Sequence, residues 1–430
     1  MVRARAVDFR RHPWTHYTVL GWRREIGYST VTVFVLLIAR SVTAWAPYVV
    51  AVGMMAVLIG NGELREKFTR QWRDAKRERT LQAVFWWTDL VGRSGRLPVV
   101  KKITVTPAGA RFLLQLPVGL HLGSIEDRIE ELTATFNARS ISVRPTDRGA
   151  RFVELSVIAQ DPFFREVRSS LLTVESFNLW DALTVGVDEE GASVSVDLPE
   201  HSVLIGGEPG SGKSVALSNI IAAAALDSKC RLTLIDGKEV ELLAWRSVAD
   251  HFVGSSIGDA VAALEDLHDV LSERYRVLAA EGRRKVAALV GDGLHLVVID
   301  ELALFLRGGE RAQRERFAEL LRDLVARGRA AGIIVVAATQ KPSHDIVPTW
   351  IRDLFTYRLA MRCTSPEASD TILGQGWASQ GFNAATIEGE RRGVGYLLAG
   401  GGSPRLIRVA NLTDDDVALL VARAERTRGS

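Results

Sequence analysis

The chain has 430 residues, 47% hydrophobic and 24% charged, with a formal net charge of +3. This composition excludes a disordered chain and is long enough for more than one domain. So small a positive excess also excludes a protein basic throughout, so any nucleic-acid surface must be local.

The first 25 residues form a basic tail expected on the cytoplasmic side. From Val31 to Gly60 the only charged residue is Arg40. As one helix this run would span about 45 Å, against a hydrocarbon core of about 30 Å. Arg23 and Arg24 before it and Arg65 and Lys67 after it are residues that stay cytoplasmic. A transmembrane hairpin over 26–60 satisfies both flanks, with a single pass as the alternative. Residues 61–97 have helical spacing and read as a linker, in which Phe85, Trp86 and Trp87 are a packing stripe, with a place at the membrane surface as the alternative.

Residues 98–165 read as a small β-β-α-β-β domain. Its strands turn at Pro107–Ala110 and Thr146–Gly149, and its single helix is expected to be capped by Ser124. Residues 166–426 alternate strands and helices as an α/β domain. The runs "SVLIG", "RLTLID", "LHLVVID", "GIIVVAATQ" and "LFTYRLAM" are continuously apolar, as strands of a mainly parallel sheet should be. Cys230 and Cys363 lie in such apolar segments and read as core residues of a reducing compartment, not as a disulfide or a zinc site.

Gly207, Glu208, Pro209, Gly210, Ser211, Gly212, Lys213 and Ser214 spell a P-loop between an apolar strand and a helix. Its glycines let backbone N–H groups wrap the phosphates of ATP at a helix N-terminus. Lys213 is expected on the β- and γ-phosphates and Ser214 on Mg2+. The apolar run ending in Asp300 and Glu301 supplies the acids that such a site needs. Asp300 suits magnesium, and Glu301 suits the polarisation of the attacking water. Gln340, at the next strand end, can sense the γ-phosphate.

At these residues the chain resembles the FtsK/SpoIIIE family of double-stranded DNA translocases. The resemblance rests on "HSVLIGGEPGSGKSVALSNII", "LIDGKEVEL", "VVIDELALFL", "LVARGRAAGIIVVAATQKP" and "SDTILGQG", and runs from about Leu171 to Arg426. It implies a RecA-like P-loop motor forming a hexameric ring that threads duplex DNA, with the motor residues at Lys213, Ser214, Asp300, Glu301 and Gln340. The family's "IDPK" falls on Ile235–Lys238, with Gly237 in place of proline. Its pore-facing loops match the stretch around Arg283, Arg284 and Lys285, and the "LRGGER" loop that includes Arg307 and Arg311. Basic loops of this kind contact phosphates, which position a duplex without reading its sequence.

Two departures matter. The family often reads "SRTIL" where this chain has Ser369–Asp370–Thr371–Ile372–Leu373, so the trans-acting arginine must lie elsewhere. Arg358, taken to end the last core strand on the crevice edge of Gln340, is the first choice, with Arg362 and Arg329 behind it. The chain ends at Ser430, which leaves no room for the family's C-terminal winged-helix domain. That and the arginine- and alanine-rich usage resemble the conjugative transfer (Tra) proteins of plasmids and integrative elements in high-GC Gram-positive bacteria. The implied protein is a translocase at the cell membrane with its motor in the cytoplasm. A chromosome-segregation translocase at the division septum and a protein-secretion motor are the alternatives.

Overall fold

The computed structural model describes residues 62–287, 293–340 and 348–429, with Val33, Val52 and Pro342 besides. The hairpin expected at 26–60 therefore lies outside the described residues, apart from those two valines, as does the basic tail. Among the described residues no helix is long and apolar enough to cross a membrane.

Two compact units divide the chain, the first ending at Ala159 and the second taking 160–430 together with the turn Thr106–Gly109. The first long element of this unit among the described residues is helix α1 (Gly62–Trp87). Its four-stranded sheet has the order β1 (Val99–Thr106), β2 (Gly109–Gln115), β4 (Phe152–Ile158), β3 (Ser140–Pro145). Leu81, Val84 and Phe85 recur at helical spacing, and their buried side chains join one core with Leu114, Leu132 and Leu155. The end of the expected linker helix thus belongs to the core of this unit. Of its aromatic trio Phe85 is fully buried, whereas Trp87 is 76% exposed.

The single helix expected from Ser124 is instead two. Helix α2 (Leu122–Glu126) begins earlier, capped by His121. The Ser124 N–H donates to His121 Nδ1 at 3.2 Å, and the His121 N–H donates to Ser124 Oγ at 3.3 Å. This reciprocal pair is a capping box, so Ser124 acts inside the first turn and not before it. Arg128 then leaves helical geometry, and its Nη1 donates to the Thr88 carbonyl at 2.7 Å. Helix α3 (Ile129–Phe136) follows and stops at Asn137 in the left-handed region.

The second unit is built on a ten-stranded sheet. Its strands in chain order are β5 (Leu183–Asp188), β6 (Ser193–Val196), β7 (Val203–Gly206), β8 (Arg231–Asp236) and β9 (His251–Val253), then β10 (His295–Asp300), β11 (Ile333–Thr339), β12 (Tyr357–Met361), β13 (Val394–Leu398) and β14 (Arg405–Val409). The spatial order is β6-β5-β14-β13-β12-β7-β11-β10-β8-β9. From β9 to β12 every neighbouring pair is parallel, and from β12 to β6 every pair is antiparallel. The five apolar runs are β7, β8, β10, β11 and β12. Sequence periodicity missed β9, which is only three residues long, and the shorter antiparallel strands, whose faces are partly exposed.

Helices α4 (Lys213–Ala225), α5 (Ile257–Ala280), α6 (Leu302–Arg307), α7 (Arg311–Ala331), α8 (Thr349–Arg352), α9 (Pro366–Leu373) and α10 (Asp414–Gly429) complete the unit. Alternate strand residues serve opposite faces, as the pleat requires. Leu296 and Val298 pack in one core with α4 and α10, while Val297 and Ile299 pack in the other with α5 and α7. Helix α10 also holds the end of α4. Arg428 donates from Nε to Ala225 O at 2.9 Å and from Nη2 to Ala224 O at 2.9 Å and Cys230 O at 2.7 Å. A guanidinium there satisfies carbonyls that a helix C-terminus leaves unpaired. Burial pushes the thiols of Cys230 and Cys363 up to about 12, and both are free, as core cysteines should be.

His295 opens β10, bonded to Thr233 Oγ1 through Nε2 at 2.9 Å. Burial, with Arg274 adding to it, lowers its pKa to about 4 from 6.5. The unfolded chain takes up this proton first, so the stability due to the neutral ring is complete above about pH 6.5 and is lost as pH falls towards 4. We expect wild type to lose about 2 kcal/mol more than His295→Gln between pH 7 and pH 5. Thermal unfolding of both proteins at the two pH values measures it; equal losses would contradict it.

Candidate active site

Parallel pairing puts the carboxyl ends of β7, β8, β10, β11 and β12 on one edge of the sheet. Gly206 pairs with Thr339, and Asp236 pairs with Asp300. Because β11 lies between β7 and β10, the segment Thr339–Gln340 stands between the P-loop and the acids. Ligands of open α/β sheets bind at such an edge.

The P-loop leaves β7 and ends at Gly212, which precedes α4 with φ of 108°. A Cβ there would approach Gly393 N to 2.8 Å and Gly393 Cα to 2.9 Å, both backbone atoms. Only glycine meets both demands. The Gly393 N–H also donates to Ser211 O at 2.9 Å, so the loop before β13 braces the P-loop. Lys213 is buried, and its Nζ donates to Gly207 O at 2.7 Å and Glu208 O at 2.8 Å. Burial, ahead of the nearby charge of Lys238, draws this ammonium down to about 8.

Asp300 ends β10 with its side chain 5% exposed. Its Oδ2 is buried and receives no hydrogen bond, and Lys238 Nζ stands 3.4 Å from it. Burial raises this carboxyl to about 6 against the pull of Lys238. Glu301 follows in the left-handed region, φ 57° and ψ 67°. A non-glycine residue held there stores strain, as functional turns do. The turn carries the Glu301 carboxylate to the end of β11. There Oε1 accepts from Thr339 Oγ1 at 3.0 Å, and both oxygens take the Gln340 N–H at 3.2 Å. The backbone of Gln340 therefore anchors the acid, a contact that the expectation for its side chain did not contain.

Sequence reasoning missed the loop after β8. Asp236 is fully buried, and its carboxylate accepts the backbone N–H groups of Lys238, Glu239 and Leu242 at 3.1, 3.0 and 2.9 Å. The turn so shaped presents Lys238 and Glu241. Glu241 Oε2 accepts the Ser214 hydroxyl at 2.6 Å. Lys238 Nζ lies 3.5 Å from Glu241 Oε1 and 3.9 Å from Glu301 Oε2. A signal was present in "LIDGKEVEL", although no chemistry was assigned to its charged residues.

The Ser214 hydroxyl and the unbonded oxygen of Asp300 are hard oxygen donors on the P-loop edge. They fit a magnesium ion that keeps waters and phosphate oxygens as its other ligands. Among the described residues no group of three or more His, Cys, Asp or Glu side chains is disposed as a metal cage.

The placement of Arg358 needs correction. It is the second residue of β12 and pairs with Leu204, near the end of the strands opposite Gln340. Its guanidinium donates to Phe355 O at 3.0 Å and Leu373 O at 2.9 Å, contacts that fasten α9 to the sheet. Arg362 follows β12 at the catalytic edge, but its Nε pairs with Glu208 of its own P-loop at 2.6 Å. Arg329 lies near the end of α7, with a side chain 59% exposed and a contact to Glu200 Oε2 at 3.3 Å.

The basic loops do not come together. Arg284 and Lys285 are exposed after α5, and the Val286 N–H next to them donates to Ala330 O at 2.9 Å. This places them at the amino ends of the parallel strands, where Lys285 pairs with Glu200. Arg307 ends α6 and Arg311 begins α7, beyond the catalytic edge, where Arg311 pairs with Glu315 at 2.7 Å.

Residues 170–295 match the FtsK/SpoIIIE family. The chain is 28% identical over 367 residues to the DNA translocase FtsK of Pasteurella multocida, covering 75% of this chain and 38% of that protein. To the DNA translocase SftA of Bacillus subtilis it is 29% identical over 296 residues, covering 64% of this chain and 30% of the relative. It thus spans well under half the length of either relative. Among solved structures, the pCW3 conjugation coupling protein TcpA, in monomer form with ATPγS, superposes with a TM-score of 0.55 at 20% identity. That likeness covers 82% of this chain and 99% of TcpA. ATPases 2 and 3 of EssC from Geobacillus thermodenitrificans give 0.51 at 12% identity, covering 61% of this chain and 52% of theirs. At such identities the two structures establish a shared fold.

Proposed function

We propose that this chain, which carries an FtsK/SpoIIIE family domain, is an ATPase that drives double-stranded DNA through a ring of its own copies. The observation that carries the reading is the convergence of Lys213, Ser214, Asp300 and Glu301 at one sheet edge, in a chain whose relatives are named DNA translocases.

Lys213 supplies a cation to the β- and γ-phosphates, and the backbone of Gly207–Gly212 wraps them. Ser214 and Asp300 would hold magnesium, which when bound would neutralise phosphate charge. Glu301, fixed by Thr339 and Gln340, takes the proton of the attacking water. Arg284, Lys285, Arg307 and Arg311 meet the phosphates of the duplex. Six copies form the ring, and the apolar run at 26–60 anchors it at the cell membrane with the motor in the cytoplasm. Conjugative transfer is the proposed setting, in preference to chromosome segregation, a choice supported by the likeness that covers nearly all of the conjugation coupling protein TcpA. Both named sequence relatives are DNA translocases, which favours this reading over a protein-secretion motor.

Linear duplex DNA is expected to stimulate ATP hydrolysis by the full chain at least several-fold, and single strands less. Phosphate release with duplex, single-stranded and no DNA measures it. Equal rates would remove the translocase reading while leaving the ATPase intact.

A further inference from the structure

We infer that Glu241 is a positioning residue of the magnesium site, acting through Ser214, and that Lys238 ties it to Asp300 and Glu301. This rests on the ATPase reading above.

A serine hydroxyl has one proton and two lone pairs. When that proton is free to rotate, it can point at a cation and repel it. Here it is committed, because the Ser214 hydroxyl donates to Glu241 Oε2 at 2.6 Å. That is the length of a charge-assisted O–H···O⁻ bond, among the stronger kinds in proteins. With the proton turned towards Glu241, the lone pairs are left for the metal. Glu241 does for the serine what outer carboxylates do for metal-bound histidines, orienting the ligand and raising its basicity.

Three carboxylates close to one another would repel, and Lys238 answers this. Its Nζ lies within 4 Å of Glu241, Asp300 and Glu301, at 3.5, 3.4 and 3.9 Å. The loop cannot easily drift, since the three backbone bonds to Asp236 set its path. At its next residue Glu239 holds a left-handed φ of 61°, with Oε1 accepting from Ser255 Oγ at 2.6 Å. The loop after β8 thereby joins the ends of β7, β10 and β11 in building the site.

The test separates metal from nucleotide. Binding of a fluorescent ATP analogue by the full chain is titrated with and without Mg2+, and Mn2+ affinity in the nucleotide complex is read by electron paramagnetic resonance. Glu241→Gln is expected to bind nucleotide like wild type in EDTA and to weaken Mn2+ by about 10-fold or more, as loss of an outer ligand does. Ser214→Ala should weaken the metal by a similar factor, and the double variant no more than Ser214→Ala alone, since both act through one contact. Should Glu241→Gln lower the melting temperature, Glu241→Asp, which keeps the charge but draws it back, is read in the same way. Unchanged Mn2+ affinity in Glu241→Gln, or additive losses in the double variant, would overturn the inference. Failure of wild type to bind nucleotide would instead sink the ATPase reading.

Discussion

Glu301→Gln is expected to bind ATP within a few-fold of wild type and to hydrolyse it on the order of 10²–10⁴-fold more slowly, the span that a positioned general base contributes. The exchange preserves shape. The amide oxygen can still accept from Thr339 Oγ1 and the Gln340 N–H, which hold the carboxylate at 3.0 and 3.2 Å. What it loses is proton affinity, together with the charge that faces Lys238 at 3.9 Å. An orienting role alone would survive the change, so the size of the loss separates proton acceptance from simple positioning of water. Single-turnover phosphate release beside equilibrium ATP binding gives both quantities. Hydrolysis at the wild-type rate would remove Glu301 from the chemistry and turn attention to Asp300.

The legibility of this site followed chain locality. The P-loop is one short segment, and its glycine spacing is forced by backbone geometry, so Gly207–Ser214 could be read directly. Asp300 and Glu301 were legible because a fully apolar strand that ends in two acids sets charge at a sheet edge, which packing alone does not require. The roles of Thr339, Lys238 and Glu241 arise only when the ends of β8, β10 and β11 come into register, and spacing in a single sequence does not encode that pairing. Arg358 shows the complementary error. An apolar run reveals a strand but not where it begins, and the strand starts at Tyr357, so the residue taken for its end is near its start. The break of α2 from α3 was hidden for a similar reason. It depends on Arg128 reaching a carbonyl forty residues away, while the local pattern favours one continuous helix.

Correcting Arg358 moves the search for a trans-acting cation, and with it the second large effect. In the proposed ring, the cation that stabilises the transferring phosphoryl group would come from a neighbouring subunit, an effect of about 10³-fold or more. Such a residue should be exposed, away from its own P-loop, and only weakly held in its own chain. Arg358 donates to two carbonyls of its own chain and is 18% exposed. Arg362 is engaged with its own Glu208. Arg329 meets all three conditions, near the amino ends of the parallel strands and, among the described residues, held through its guanidinium by Glu200 at 3.3–3.4 Å. Exposed pairs of that kind contribute little, about 1 kcal/mol or less, so leaving Glu200 costs little. Arg329→Ala is therefore expected to lower kcat about 10³-fold with ATP affinity nearly unchanged. Mixing Arg329→Ala chains with Lys213→Ala chains should restore part of the activity, because some interfaces then pair an intact P-loop with an intact arginine. Arg358→Ala mixed in the same way should give no such rescue, and its loss should appear as a lower melting temperature. Rescue by Arg358→Ala or Arg362→Ala chains, with none by Arg329→Ala, would return the role to the catalytic edge or to β12.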